Sequence, residues 1–183
     1  MIKPNHVMVD VETMSTKTNA AIVSIGAVIF DPRHNVVTDK TFYVELNWRD
    51  QDFDHDRDID PETQTWWRTQ TEHARKALGG TVNLVEGLTQ FRDWLLANNP
   101  NDVKVWGNGP TFDISIIESA MAATRIEVPW RFWNIRCCRT IKDMYGTQRG
   151  ALREGRNVAS HNALEDAQQQ AHDVCKYWSK LCN

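Results

Sequence analysis

Asp10 and Glu12 stand two residues apart in HVMVDVET, a run beginning at His6 that otherwise reads as an apolar strand. Side chains alternate faces along a strand, so Met8, Asp10 and Glu12 share one side and Val7, Val9 and Val11 the other. Two carboxylates on one half-buried face lose hydration and repel each other. A divalent cation removes both costs, and a carboxylate donor set suits magnesium or manganese. A strand end where both acids reach water fits the pair equally well. Two further segments carry acids in similar settings. In WGNGPTFDISII, residues 106 to 117, Asp113 follows a short strand and a Gly-Asn-Gly-Pro turn and opens an apolar helix. An acid there can simply favour the helix dipole, yet the place just past a strand's carboxyl end is also where open α/β sheets bind ligands. In ASHNALED, residues 159 to 166, Asn162 and Glu165 have capping-box spacing. That spacing puts Asp166 inside the last helix and leaves His161 in the lead-in loop, able to fold over a metal site. The plainer account is a capping Asn beside a surface His.

The elements that must position these groups follow from apolar periodicity and turn chemistry. His6 to Glu12 is a first strand. Ala20 to Phe30, AAIVSIGAVIF, is a second, with Gly26 inside it as a sign of a bulge or a close backbone approach, the expected neighbour being another strand. After the turn cluster Asp31 to Asn35, the alternation of Lys40 to Leu46 predicts a third strand and hence an antiparallel meander. QDFDHDRDIDPET, residues 51 to 63, reads as a solvated extended loop that ends at a helix start, with Asp60 as N-cap and Pro61 at the first helical position. It lacks the Gly and closing Glu of a calcium loop. Thr65 to Leu78 reads as a helix ended by Gly79-Gly80, and Leu84 to Asn98 as an amphipathic helix. Asp102 to Trp106 is a strand and Phe112 to Ala123 a helix. Pro129 to Tyr145 predicts a short strand or turn and then a helix. Gly146 to Ala159 reads as a loop, and Asn162 to Leu181 as the last helix. The sum is a mixed α/β sheet with the first strand central, in one domain spanning residues 1–183.

Composition narrows the classes. With 41% apolar and 25% charged residues and a formal net charge of -3, the 183-residue chain has the make-up of an ordinary soluble protein. No apolar stretch suits a signal peptide or a membrane span, so a soluble cytoplasmic protein is expected. The four cysteines, Cys137, Cys138, Cys175 and Cys182, form no CxxC pair and have no zinc spacing, which predicts reduced thiols. Of the eight tryptophans, most are expected in the core, while a minority can stack on bases or fill an interface. Between Arg125 and Arg156, eight cations stand against Glu127, Asp143 and Glu154. That excess can track a phosphate backbone or be an ordinary solvated face.

Taken together, DxE in a first strand, a later FD opening a helix and H-x4-D at the last helix resemble the DEDDh 3′-to-5′ exonucleases, the DnaQ-like members of the ribonuclease-H-like fold. The order of motifs is the family's, and they span most of the chain. The phage exonuclease A and bacterial ribonuclease AS branch is the most similar, through MVDVET followed by AAIVSIGAVIFD and through PETQTWW, residues 61 to 67, followed by Glu72-His73-Ala74-Arg75. One departure stands out. Many superfamily members carry Asn four residues before the second-motif Asp, where this chain has Gly109, with Asn108 one residue earlier.

The resemblance implies a fold of three antiparallel strands followed by parallel strands, flanked by helices. It implies Asp10, Glu12, Asp113 and Asp166 as ligands of two divalent cations, Mg2+ or Mn2+, with His161 as general base, a task that suits imidazole near neutral pH. The implied activity is stepwise hydrolysis of single-stranded RNA or DNA from its 3′ end to nucleoside 5′-monophosphates, by a homodimer. Candidate substrate contacts are Thr13, Met14, Asn108, Phe112, Arg139 and Arg149. Two other functions stay open on the residues alone: an endonuclease in the manner of ribonuclease H, and a nucleic-acid-binding accessory protein without catalysis.

Overall fold

The computed structural model describes residues 5–98, 102–145 and 160–181. Its centre is strand β1 (His6–Thr13), whose alternating valines and acids require different surroundings on its two faces. β1 pairs antiparallel with β2 (Ile22–Asp31), which pairs antiparallel with β3 (Val36–Glu45). On its other side β1 pairs in parallel with β4 (Lys104–Gly107), and β4 with the short β5 (Arg136–Cys137). The strand order is therefore β3-β2-β1-β4-β5, the expected mixed sheet with β1 in the middle.

Seven helices appear among the described residues: α1 (Gln51–His55), α2 (Pro61–Arg68), α3 (Glu72–Arg75), α4 (Leu84–Asn98), α5 (Asp113–Thr124), α6 (Cys138–Met144) and α7 (Ala163–Leu181). Val7, Val9 and Val11 pack against α4 and α5 through Leu88, Phe91, Ile114 and Ile117. The opposite face, through Met8, Val28 and Phe30, carries α6 and α7. The buried stripe of α7 is Ala163, Ala167, Ala171, Val174 and Cys175. Small side chains at this spacing let the helix backbone lie close to the sheet. A third cluster, with Met14, Val23, Trp67 and Ala74, holds α2 and α3 against the ends of β1 and β2. None of the described helices is long and apolar enough to cross a membrane. Among the described residues, Cys137, Cys138 and Cys175 are free thiols.

Three local expectations are corrected. Residues 51 to 63 are not one extended loop. Gln51 is buried and exchanges hydrogen bonds with the Ile22 main chain, accepting from its N–H and donating to its C=O at 2.8 Å each. This starts α1, which Asp56 closes in the left-handed region at φ 52°. Arg57 then buries its guanidinium, donating to the carbonyls of Ala20 and Ile116 and to Ser119. The helix expected from Thr65 to Leu78 is three pieces, because Thr71 caps a new start by accepting from the Ala74 N–H, and Lys76–Gly79 tightens into a 3-10 turn. The third strand begins at Val36 instead of Lys40, as a partly exposed edge strand. The segment from Pro129 resolves into a 3-10 turn at Phe132–Asn134, then β5 and α6. The loop expected at Gly146 to Ala159 lies outside the described residues.

Candidate active site

The parallel register between β1 and β4 stops at Met8 and Trp106. Beyond it, β1 keeps its pairing with β2 but has left β4, and on that side the N–H of Val11 is taken up by Asp113 Oδ1 at 3.4 Å. Asp113 reaches back because β4 ends at Gly107 and turns sharply through Gly109, whose φ of 110° favours glycine. A Cβ at Gly107 would stand 3.1 Å from Asp113 Oδ2, so the absence of a side chain there also gives the carboxylate room. Asp113 is thereby buried beside the strand that carries Asp10 and Glu12.

Asp166 comes from the other side, on α7. Gly26 is the residue of β2 paired with Asp10. A Cβ at Gly26 would overlap the Ala163 carbonyl carbon and the Leu164 nitrogen. The close approach at Gly26 is thus to the start of α7 and not to a neighbouring strand, which corrects the expectation for this residue. Asn162 caps the helix, its Oδ1 accepting from the N–H groups of Leu164 and Glu165 at 3.1 and 3.2 Å. Its Nδ2 donates to Tyr43 Oη on β3 at 3.4 Å. The capping box is half formed, since Glu165 pairs with His73 at 2.9 Å. His161 stands outside the helix as the sequence predicts, in the left-handed region at φ 49°. Ligand atoms of Glu12, His161 and Asp166 all lie within 4.8 Å of one another. One turn further along α7, Gln170 Nε2 donates to Asp10 Oδ1 at 2.7 Å.

The electrostatics record the cost of this crowding. Burial first, and then Asp166 and Asp113, push the Glu12 carboxyl up to about 8. Burial, then Asp113 and Glu12, raise Asp10 well above the carboxylate range, against the Gln170 hydrogen bond. Asp113 is raised by burial and partly relieved by the Val11 N–H and by Arg139. Asp166 is raised by burial and relieved by His161 and Ser160. Four hard oxygen donors that resist losing their protons fit a divalent cation such as magnesium or manganese, which would offset their repulsion.

A pH dependence follows. These carboxyls hold protons more tightly folded than unfolded. The contribution of these carboxyls to metal-free stability is therefore fully present below the ordinary carboxylate range and is lost as the pH rises, through about 8 for Glu12. Cations compete with those protons. At about pH 8, manganese at 100 times its Kd should stabilise by about 2.7 kcal/mol, or raise the Tm by about 5–10 °C. The same manganese concentration should give a smaller rise at about pH 5, and equal rises in thermal melts at the two pH values would contradict these ligands.

Beside the carboxylates opens a cleft of about 540 Å³ whose lining includes Thr13, Ser15, Thr16, Thr63, Trp66 and Phe112. Thr13 and Phe112, both expected near substrate, are on its wall. Met14 is not. It is 1% exposed in the cluster with Trp67, because the register shift after Glu12 turns it inward, so the expectation that it contacts substrate is corrected. Asn108 is half-buried, and its main chain faces Asp113. The Arg139 guanidinium lies over Gly109, with Nη1 3.0 Å from where a Cβ would be. Arg149 lies outside the described residues. Two neighbours of the site escaped the sequence reading. Gln170 stands four residues after Asp166, on the same helix face, which was a usable signal. Trp66 packs its ring edge-to-face on His161, with centroids 5.0 Å apart at 86°. The WW pair was legible; which ring faced outward was not.

The strand order and the helices on both faces define the ribonuclease-H-like fold of the DnaQ-like 3′-to-5′ exonucleases. More narrowly, the chain belongs to the 3′-5′ exoribonuclease Rv2179c-like domain family, whose model matches residues 5–178. It is 26% identical over 158 residues to the exodeoxyribonuclease of Enterobacteria phage T4, covering 73% of this chain and 68% of the phage protein. Among solved structures it is similar to the nuclease domain of 3′hExo, a DEDDh family member bound to rAMP. The TM-score is 0.67 at 12% identity, over 99% of this chain and 94% of that one. Cell-death related nuclease 4 (CRN-4) also superposes with a TM-score of 0.67, at 13% identity, over 95% of this chain. This chain spans 63% of the length of that nuclease. At such identities the two structures speak to the fold.

Proposed function

We propose that this chain removes nucleotides one at a time from the 3′ end of single-stranded RNA or DNA, releasing nucleoside 5′-monophosphates. The observation that carries the reading is the meeting of Asp10, Glu12, Asp113, Asp166 and His161 at the carboxyl end of β1, from three separate segments of the chain. Asp10, Glu12, Asp113 and Asp166 would hold two divalent cations, magnesium or manganese, which when bound supply a nucleophilic water and neutralise charge on the phosphate and the leaving oxygen. Beside them, a ring nitrogen of His161 accepts a proton from the attacking water. The water oxygen bonds to phosphorus, the bond from phosphorus to the 3′ oxygen breaks, and the 3′ oxygen takes a proton from solvent to leave as a hydroxyl. The cleft walled by Thr13 and Phe112 receives the terminal nucleoside. Arg139, over the Gly109 turn with its charge acting on Asp113, would meet a phosphate. A homodimer of this one-domain chain is the expected assembly.

The family model is described as an exoribonuclease and the phage relative as an exodeoxyribonuclease, so both sugars belong in the test. Single-stranded RNA and DNA labelled at either end are incubated with manganese. Substrate labelled at the 3′ end should release labelled mononucleotide at once, and substrate labelled at the 5′ end should yield a shrinking ladder. Hydrolysis of a closed circular strand would point to an endonuclease instead, and tight binding without hydrolysis to an accessory protein. His161→Ala should slow turnover by about 10²-fold or more while calorimetry still detects manganese binding. Loss of manganese binding in that variant would make His161 a ligand and not the base.

A further inference from the structure

We infer that the α2–α3 segment is a clamp for the catalytic histidine, and that Trp66 is the positioning residue through which it acts. The inference rests on the exonuclease reading and on His161 as its base.

His161 sits in backbone geometry that non-glycine residues seldom adopt, at φ 49°. Such a conformation persists where surrounding contacts over-determine it, and it recurs at active sites. The ring has two kinds of described neighbour. Glu12 and Asp166 bring carboxylate oxygens near it. Trp66 stands perpendicular to the imidazole, with centroids 5.0 Å apart. Edge-to-face packing at this distance is a favourable aromatic geometry.

The helix that carries Trp66 is fastened in its turn. Its neighbour Trp67 is buried and donates its indole N–H to the Thr13 carbonyl at 2.9 Å, just past Glu12. The Asp60 N–H donates to the Met14 carbonyl at 2.8 Å, and Asp60 then caps α2 by accepting from the Glu62 N–H. The helix carrying both tryptophans is therefore fastened to the end of β1 that bears Asp10 and Glu12. Trp66 and Trp67 also meet edge-to-face, with centroids 5.1 Å apart. From α3, His73 pairs with Glu165 at 2.9 Å and holds the first turn of α7, next to Asp166. The segment thus grips the strand that carries half of the carboxylates and the loop and helix that carry the histidine and the last carboxylate. The tryptophan dipeptide divides the work: Trp67 anchors, and Trp66, still 40% exposed, reaches His161.

Small displacements of a catalytic group cost rate steeply. Trp66→Ala should therefore lower kcat by about 10-fold or more, over and above any rise in KM from its place on the cleft wall, because the interaction with His161 positions the base. Trp66→Phe keeps an aromatic ring and should recover most of kcat. In a His161→Ala background, Trp66→Ala should cost almost nothing further, since the two act as one unit. Independently of turnover, the ring-proton resonances of His161 should show an indole ring-current shift that Trp66→Ala removes. A rise in KM with kcat unchanged would overturn the proposal and make Trp66 a substrate-binding surface. Full additivity with His161→Ala, or unchanged His161 resonances, would overturn it as well. A wild-type protein without activity would fail the exonuclease reading itself, and the resonance measurement would still report on the clamp.

Discussion

Asp10→Asn should lower hydrolysis by about 10³-fold or more and at the same time raise the melting temperature of the metal-free protein. Both effects come from one cause. Asp10 faces Asp113 and Glu12, and burial with their repulsion lifts its carboxyl well above the ordinary range. A neutral amide removes a charge that the metal-free fold accommodates poorly. The substitution also keeps the existing contact, because an Asn Oδ1 can still accept from Gln170 Nε2, as Asp10 Oδ1 does at 2.7 Å. Asp10→Ala should do worse in a melt than Asp10→Asn. It would strip Gln170 of that acceptor, and Gln170 Oε1 already has no hydrogen-bond partner among the described residues. The expected order of metal-free Tm is Asn above wild type, with Ala below Asn. Manganese should then stabilise the wild type more than either variant. Wild-type turnover in Asp10→Asn, or a metal-free Tm below that of the wild type, would mean that Asp10 is a structural acid and not part of a metal cradle. A trade of stability for function of this kind is common where a site stores repulsion until its ligand arrives.

What could be read from the residues was what strand alternation and capping chemistry impose locally. Asp10 and Glu12 share a face because a strand has a period of two, and Asn162 caps because its side chain reaches the next N–H groups in sequence. The carboxylates could be listed for the same reason. The misread features depend on partners distant in sequence. Gly26 was legible as a close approach, but nothing near it named α7 as the neighbour. Met14 was a substrate contact only by the family resemblance, whereas the register shift between Glu12 and Thr13 sends the next side chain into the core. The aspartate run from 50 to 60 looked like solvated loop because the group that fixes it is Gln51, bonded to the main chain of Ile22. Thr65 to Leu78 looked like one helix because Thr71 is a modest helix former on any propensity scale, and only its accepted bond from Ala74 shows that it begins a new one. Trp66 and His161 belong to the same group: neither sequence position predicts the other.

Gly26→Ala is the most demanding test of how the two halves of the site are held together. It should destabilise the protein by about 1–3 kcal/mol or more and reduce hydrolysis more than the loss of folded protein explains. The backbone at Gly26 is extended strand, outside the left-handed region, so alanine suits its conformation and would ordinarily be favoured over glycine in a strand. The penalty is therefore steric. The new methyl group meets main-chain atoms of Ala163 and Leu164, which cannot swing aside as a flexible side chain can. The available relief is to lift the first turn of α7, and that turn carries Asp166, with Gln170 one turn behind it. Lifting it draws Asp166 away from Glu12 and weakens the Gln170 bond to Asp10. Gly79→Ala supplies the control, since a Cβ there meets nothing within 4 Å. It should be neutral or stabilise by about 0.4–1 kcal/mol, with hydrolysis unchanged. Denaturant melts and initial rates on the two variants separate the cases. If Gly26→Ala and Gly79→Ala behave alike in both, α7 does not rest on β2 opposite Asp10, and the route by which Asp166 joins the other three carboxylates must be a different one.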